Sequence, residues 1–215
     1  MISTKSTPPP LLMTRFRSSL VFSVMSLAVV PSAWAVDGTI TINGEIIDST
    51  CKINGKLPPA DIWVKLPKIS KSALKDKGDA AGATLFVISL TDCPASLPAG
   101  KVRAYFEPGP TTDYASGNLI AYENSTEITK AAESIPATLG TAKNNVQIQL
   151  TNTDGSVIRV GEDAATQAAT GATLNMGDST KSATLRYLAR YVKSGEGDVP
   201  AGKLVSYVQY SIVYP

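Results

Sequence analysis

The sequence predicts an all-β sandwich, and three observations carry that reading. About eight short segments alternate apolar and polar residues, the period of a strand with one buried face. Clusters of Gly, Pro, Asn and Asp separate these segments, as turns separate sandwich strands. Helical periodicity is scarce, and one helical turn near Ser70 to Asp76 is the only helix expected.

In chain order the expected strands begin with Thr39 to Ile47, where Ile40, Ile42, Gly44 and Ile46 share a face with Gly38 just ahead of them. Ile62 to Leu66, Thr84 to Leu90 and Lys101 to Phe106 follow, the last closed by Pro108-Gly109-Pro110. Val146 to Leu150 and Val157 to Val160 flank Asn152-Thr153-Asp154-Gly155, a hairpin turn signal. Ala183 to Val192 comes next, and Gly195-Glu196-Gly197-Asp198 reads as a hairpin tip leading to the last strand, Lys203 to Tyr214. There Val208, Tyr210, Ile212 and Tyr214 share one face while Gln209 and Ser211 point the other way. Asn124 to Asn145 and Ala164 to Thr173 lack the alternation and read as surface excursions, and with no internal repeat one sandwich domain is expected.

Ahead of this region, Arg15 and Arg17 precede a largely apolar run from Leu20 to Val30, then Pro31 and the small-residue site Ala33-Trp34-Ala35. That pattern predicts a secretory signal over residues 1–35, cut before Val36; the apolar run is shorter than the roughly 20 residues of a membrane span. About 180 residues would remain, one generous domain. Three basic residues (Lys5, Arg15, Arg17) and no acid lie in the leader, so the exported part is close to neutral. Nothing in that balance favours nucleic acid or an anionic membrane surface as a partner.

Cys51 and Cys93 both fall in the exported part, where an oxidising compartment makes a disulfide the default. A metal pair would need two further ligands, and the chain has no histidine. The same lack removes Ser-His-Asp and Cys-His catalysis, and no cofactor or metal site is expected. Ser72-Ala73-Leu74-Lys75 matches Ser-x-x-Lys without its companion motifs and reads as a solvated turn. Glu107 and Asp113 bracket a Pro-Gly-Pro turn and read as turn acids rather than an acid/base pair.

Four features together resemble the pilins of chaperone-usher fimbriae, and within them the type 1-like major subunits. They are the opening Gly38-Thr39-Ile40-Thr41-Ile42-Asn43-Gly44-Glu45-Ile46-Ile47 followed by Cys51, the second cysteine after Phe86 to Asp92, the Leu188-Ala189-Arg190-Tyr191 strand, and an ending with Gly202 fourteenth from the end and Tyr214 penultimate. Pro215 departs from the polar residue common at the final position in related subunits. The resemblance implies an incomplete immunoglobulin-like sandwich that lacks its final strand and is completed by donor-strand complementation, with a groove beside the last strand. A periplasmic chaperone would fill the groove first, and the opening strand of the next subunit would replace it at an outer-membrane usher. It implies residues 36–50 as the donor strand and 51–215 as the pilin domain, with Ile40, Ile42 and Ile46 filling pockets and Gly44 placed where no side chain fits. Gly202, Val208, Tyr210, Ile212 and Tyr214 would form the groove strand. The expected product is a structural, non-enzymatic major subunit of a cell-surface fimbria, exported through the periplasm, with related pilins and a tip adhesin as partners. The alternative is a minor or tip-adaptor pilin.

Overall fold

The computed structural model describes residues 39–47 and 51–215. The predicted leader and Gly38 lie outside the described residues. The chain divides into two units after Glu45, and the sandwich belongs to the second. In chain order its strands are β1 (Lys52–Ile53), β2 (Ala80–Cys93), β3 (Lys101–Glu107), β4 (Thr112–Asp113), β5 (Asn118–Glu123), β6 (Ala142–Asn152), β7 (Val157–Ile158), β8 (Ala172–Thr173), β9 (Asn175–Met176), β10 (Lys181–Lys193), β11 (Leu204–Val205) and β12 (Gln209–Val213). A 3₁₀ turn at Lys71–Ala73, capped by the Ser70 hydroxyl accepting from the Ser72 N–H, is the only helical element among the described residues.

The larger sheet runs β1-β2-β10-β6-β5-β11, and the smaller runs β12-β3-β8. β10 is its spine, pairing antiparallel with β2 on one side and β6 on the other. Alternation fixes which residues turn inward: Ile88 and Leu90 of β2 and Leu185 and Tyr187 of β10 are buried, as are Val102, Ala104 and Phe106 of β3. Phe106 meets the Tyr187 ring edge-on, with centroids 5.4 Å apart, and Phe86 completes the trio.

Cys51 and Cys93 are joined in a disulfide across 42 residues, tying the start of the domain to the end of β2. On the chain-entropy account such a closure is worth about 4 kcal/mol.

Several sequence expectations need correction. Neither Thr39 to Ile47 nor Ile62 to Leu66 forms a strand, because neither has a backbone partner among the described residues. Lys203 to Tyr214 is not one strand but two: β11 pairs with β5 in the larger sheet, and β12 pairs with β3 in the smaller. The Gly195 to Asp198 run is not a hairpin tip, since β10 and β11 are not neighbours. It crosses the end of β6, where the Ser194 N–H donates to the Asn145 carbonyl and Asn145 Nδ2 donates to the Asp198 carbonyl. Ala164 to Thr173 is not wholly superficial: Gln167 is buried, and β8 begins at Ala172.

β5 escaped the periodicity argument because it is covered on both faces, with Asn118, Leu119, Ala121 and Tyr122 all buried. Its polar residue is satisfied internally. Asn118 Nδ2 donates to Gln147 Oε1 at 2.9 Å, and Asn118 Oδ1 accepts from Gln149 Nε2 at 3.1 Å. The Asp154-Gly155 turn stands as expected, joining β6 to β7 through a Gly155 N–H to Asn152 carbonyl bond.

Candidate functional site

β12 ends the smaller sheet with one side open. It pairs with β3 from Gln209–Glu107 to Val213–Arg103, and among the described residues no strand lies on its other edge. β3 is finished differently. Beyond the two residues β8 covers, the Ala104 N–H donates to the Tyr187 hydroxyl, and Gln167 takes both main-chain groups of Phe106, at 2.8 and 2.9 Å. A buried glutamine amide thus stands in for a strand at one edge, while β12 has no such substitute. Unpaired edges are otherwise shortened, charged or covered.

The faces of β12 follow the alternation. Val208, Tyr210, Ile212 and Tyr214 are partly buried against the core, and Gln209 and Ser211 are exposed, with the Ser211 hydroxyl donating to Glu107 Oε1. Partial burial is the informative part. These side chains are large and apolar, they touch the core below, and they remain accessible from the open side.

From the Tyr210 end of that open side toward the start of β11 runs Asp61–Leu66, in which Ile62, Val64 and Leu66 pack on the core while Asp61, Trp63 and Lys65 are exposed. Three contacts set its direction. The Tyr214 hydroxyl accepts from the Cys51 N–H at 3.2 Å, the Tyr210 hydroxyl donates to the Ala60 carbonyl at 2.6 Å, and Lys65 pairs at 2.6 Å with Glu127 of the stretch that Lys203 grips. The segment therefore runs antiparallel to β11 and β12. Yet no main-chain hydrogen bond joins them among the described residues. Burial, and then the neighbouring Asp61 carboxylate, push the Tyr210 hydroxyl above its usual pKa and keep it a donor.

Gly202 precedes β11 with φ of 145°, a left-handed backbone that strains any side chain, and it lies beside Lys143, which is paired with Glu123 at 2.9 Å. At the other end, a Cβ on Gly100 would sit 2.4 Å from Pro215 Cβ, so that glycine is what admits the last residue to its seat. Sequence reasoning had singled out Gly202 but neither Gly100 nor the Asp61–Leu66 wall. The wall's alternation was visible, though read as an ordinary strand.

Of the opening segment, Ile40, Ile42 and Ile46 are 90, 91 and 99 % exposed, and nothing approaches within 4 Å of a Cβ placed on Gly44. Three isoleucines in that state are an unmet hydrophobic demand.

The other motifs do not assemble a reactive centre. The Ser72 hydroxyl donates to Ser70 at 2.8 Å, not to Lys75, whose N–H instead bonds Asp79. Glu107 is engaged by Ser211. Asp113 accepts from Gln147, Ser116 and Ala115, and these bonds, the Gln147 amide foremost, hold its carboxyl below the usual range. Asp113 closes a polar chain that runs through Gln147, Asn118 and Gln149 to Arg190. That chain stitches four strands together.

Residues 66–215 match the family model of FimA, the type-1 fimbrial protein. The chain belongs to the type-1 fimbrial protein family. It is 46 % identical over 191 residues to the serotype 2 fimbrial subunit of Bordetella pertussis, covering 87 % of this chain and 91 % of that one. It is 36 % identical over 197 residues to the F17 fimbrial protein of Escherichia coli, covering 90 and 96 %. Against the major fimbrial subunit SMF-1 of Stenotrophomonas maltophilia the identity is 35 % over 192 residues, covering 87 and 99 %. Among solved structures, a chaperone-usher pilus and the P pilus rod subunit PapA each superpose with TM-score 0.50, at 20 and 18 % identity, over 86 and 78 % of this chain and all of theirs.

The fold is thus an all-β, immunoglobulin-like pilin sandwich, and the protein is a fimbrial subunit of a chaperone-usher pilus. Members of this family are structural subunits and not enzymes, and they reach the cell-surface fimbria by way of the periplasm.

Proposed function

We propose that this chain is the major structural subunit of its fimbria and polymerises by donor-strand exchange. The observation that carries the reading is the open edge of β12 between its own sheet and the Asp61–Leu66 wall, bordered by Val208, Tyr210, Ile212 and Tyr214. A strand laid into that slot gains main-chain pairing along β12 and buries its alternate side chains. Residues 36–50 supply such a strand, with Ile40, Ile42 and Ile46 one or two alternations apart and exposed, and residues 51–215 form the receiving domain. Residues 1–35 act as the export signal.

Each buried isoleucine contributes about 1.5 to 3 kcal/mol. Donor and slot are different surfaces of one chain, so the contact is heterologous and extends into a filament rather than closing. Before assembly the slot is an aggregation hazard, which a periplasmic chaperone covers until an outer-membrane usher brings the next subunit; a tip adhesin begins the series. The major role is supported by the name of the SMF-1 relative.

Electron microscopy of cells producing the protein with its chaperone and usher tests the proposal. Gly44→Asn, or deletion of Gly38 to Ile42, should abolish fibres while the chaperone-bound subunit still accumulates. Fibres of normal length from either variant would overturn the donor assignment.

A further inference from the structure

Ala60 is buried and Asp61–Leu66 alternates like a strand, but among the described residues the segment has none of the main-chain bonds that place a strand in a sheet. Something else must set its distance from β12. We infer that two side-chain ties, Tyr210 to Ala60 at one end and Lys65 to Glu127 at the other, keep this wall from closing onto β11 and β12, so that the slot holds its shape as the chaperone's strand leaves and the donor enters. The inference rests on the donor-strand reading above and concerns what makes capture fast.

The first tie is made by a side chain lying across the slot floor. The Tyr210 hydroxyl reaches the Ala60 carbonyl at 2.6 Å, spanning with a ring a gap that main-chain bonds do not span. A phenol is rigid beyond two torsions, so it sets a minimum as well as a maximum separation. Tyr214 repeats the device two alternations further on, its hydroxyl accepting from the Cys51 N–H, and the disulfide anchors that point to the end of β2.

The second tie runs through the excursion after β5. The Asn124 N–H donates to the Lys203 carbonyl at 3.1 Å and Lys203 Nζ donates to the Ser125 carbonyl at 3.2 Å, which fixes this stretch to the start of β11. Glu127, two residues on, then holds Lys65 of the wall at 2.6 Å. Hydrogen bonding from Lys65, with Lys68 and Lys203 nearby, keeps the Glu127 carboxyl ionised below its usual range. An excursion that looks like free surface therefore bridges the two sides of the slot.

Preorganisation of this kind acts on rate, because an incoming strand need not first pull the wall into place. The test uses the mature chain in complex with its periplasmic chaperone and a synthetic peptide of residues 38–50, with chaperone release as the readout over time. Tyr210→Phe keeps the ring and deletes the tie, and uptake should slow about three- to tenfold, the loss of one hydrogen bond. Glu127→Lys should slow it about two- to fivefold in low salt, and adding Lys65→Glu should restore it. Raising ionic strength to about 0.5 M should bring the wild type toward the Glu127→Lys rate and leave the Tyr210→Phe effect in place. Uptake by both single variants at the wild-type rate would overturn the inference. Wild-type complex that takes up no peptide at all would instead overturn the donor-strand reading. Should Tyr210→Phe fail to form a chaperone complex, the exposed charge pair decides the matter alone, since rescue by reversal is not something lost folding imitates.

Discussion

Ile42→Ala separates the fold from the fibre more sharply than any other change. In the free chain Ile42 is 91 % exposed, so its truncation should alter the stability of the isolated domain by no more than about 0.5 kcal/mol. On the donor-strand proposal the same side chain is fully buried in the fibre, between two sheets of the neighbouring molecule. Truncating a buried isoleucine costs about 2 to 5 kcal/mol, the range reflecting how far the site collapses around the lost atoms. At 1.4 kcal/mol per tenfold, that weakens each joint by about thirty- to several-thousand-fold. Purified fibres warmed stepwise in mild detergent, run unboiled on a gel, give the temperature at which ladders fall to monomer. That temperature should drop markedly for Ile42→Ala, while thermal unfolding of the chaperone-released monomer stays where it was. Should the fibres dissociate at the wild-type temperature, Ile42 is not buried at the joint and the pocket argument fails; should the monomer lose stability instead, the residue belongs to its own core.

Alkali should loosen the domain through its tyrosines. Burial raises the pKa of Tyr187, Tyr191 and Tyr210 above the ordinary value of 10.0, so the folded state favours the neutral phenol. That stability is fully present below the unfolded-state pKa and drains away as pH rises through the folded one, so a urea titration should keep its midpoint to about pH 10 and fall beyond it; Tyr187→Phe should lower the unfolding free energy at neutral pH by about 1 to 3 kcal/mol, having stranded the Ala104 N–H and the Thr170 carbonyl. Reduction of Cys51–Cys93 with dithiothreitol should cost about 4 kcal/mol by denaturant unfolding, and a Cys51→Ser, Cys93→Ser variant of unchanged stability would contradict the loop-closure account. Gly100→Ala should unseat Pro215, read as faster carboxypeptidase trimming of the last residues with the disulfide still formed.

How much was legible in the sequence depended on whether one face or two were buried. β2, β3 and β10 each carry a solvated face, and β6, though buried from Ile148 to Asn152, alternates in residue type through Val146-Gln147-Ile148-Gln149-Leu150; that alternation announced all four within a few residues of their ends. β5 is buried on both faces, so its pattern Asn118-Leu119-Ile120-Ala121-Tyr122 showed no period. The split of the last strand was hidden for another reason. Periodicity reports which way side chains point and not which strand pairs with which, so the passage from β5 to β3 between Val205 and Gln209 left no mark. Gln167 was illegible altogether: a glutamine in an alanine- and threonine-rich run gives no hint that it will pair with the backbone of Phe106 sixty-one residues away.

The same limit explains why the opening segment and the wall were both read as strands and neither is one. Alternation is a statement about demand: Ile40, Ile42 and Ile46 on one side, and Ile62, Val64 and Leu66 on another, each need a surface on which to lie. It says nothing about supply within the same molecule. The wall finds its surface on its own core but has no main-chain partner among the described residues; the opening segment is exposed at every isoleucine. A chain that folded alone to completion would have no reason to carry both an unpaired apolar edge and an unburied apolar strand, since each raises the free energy of the monomer and invites aggregation. On the donor-strand proposal each defect is the other's remedy, and the period-2 patterns at the two ends belong to a single interface.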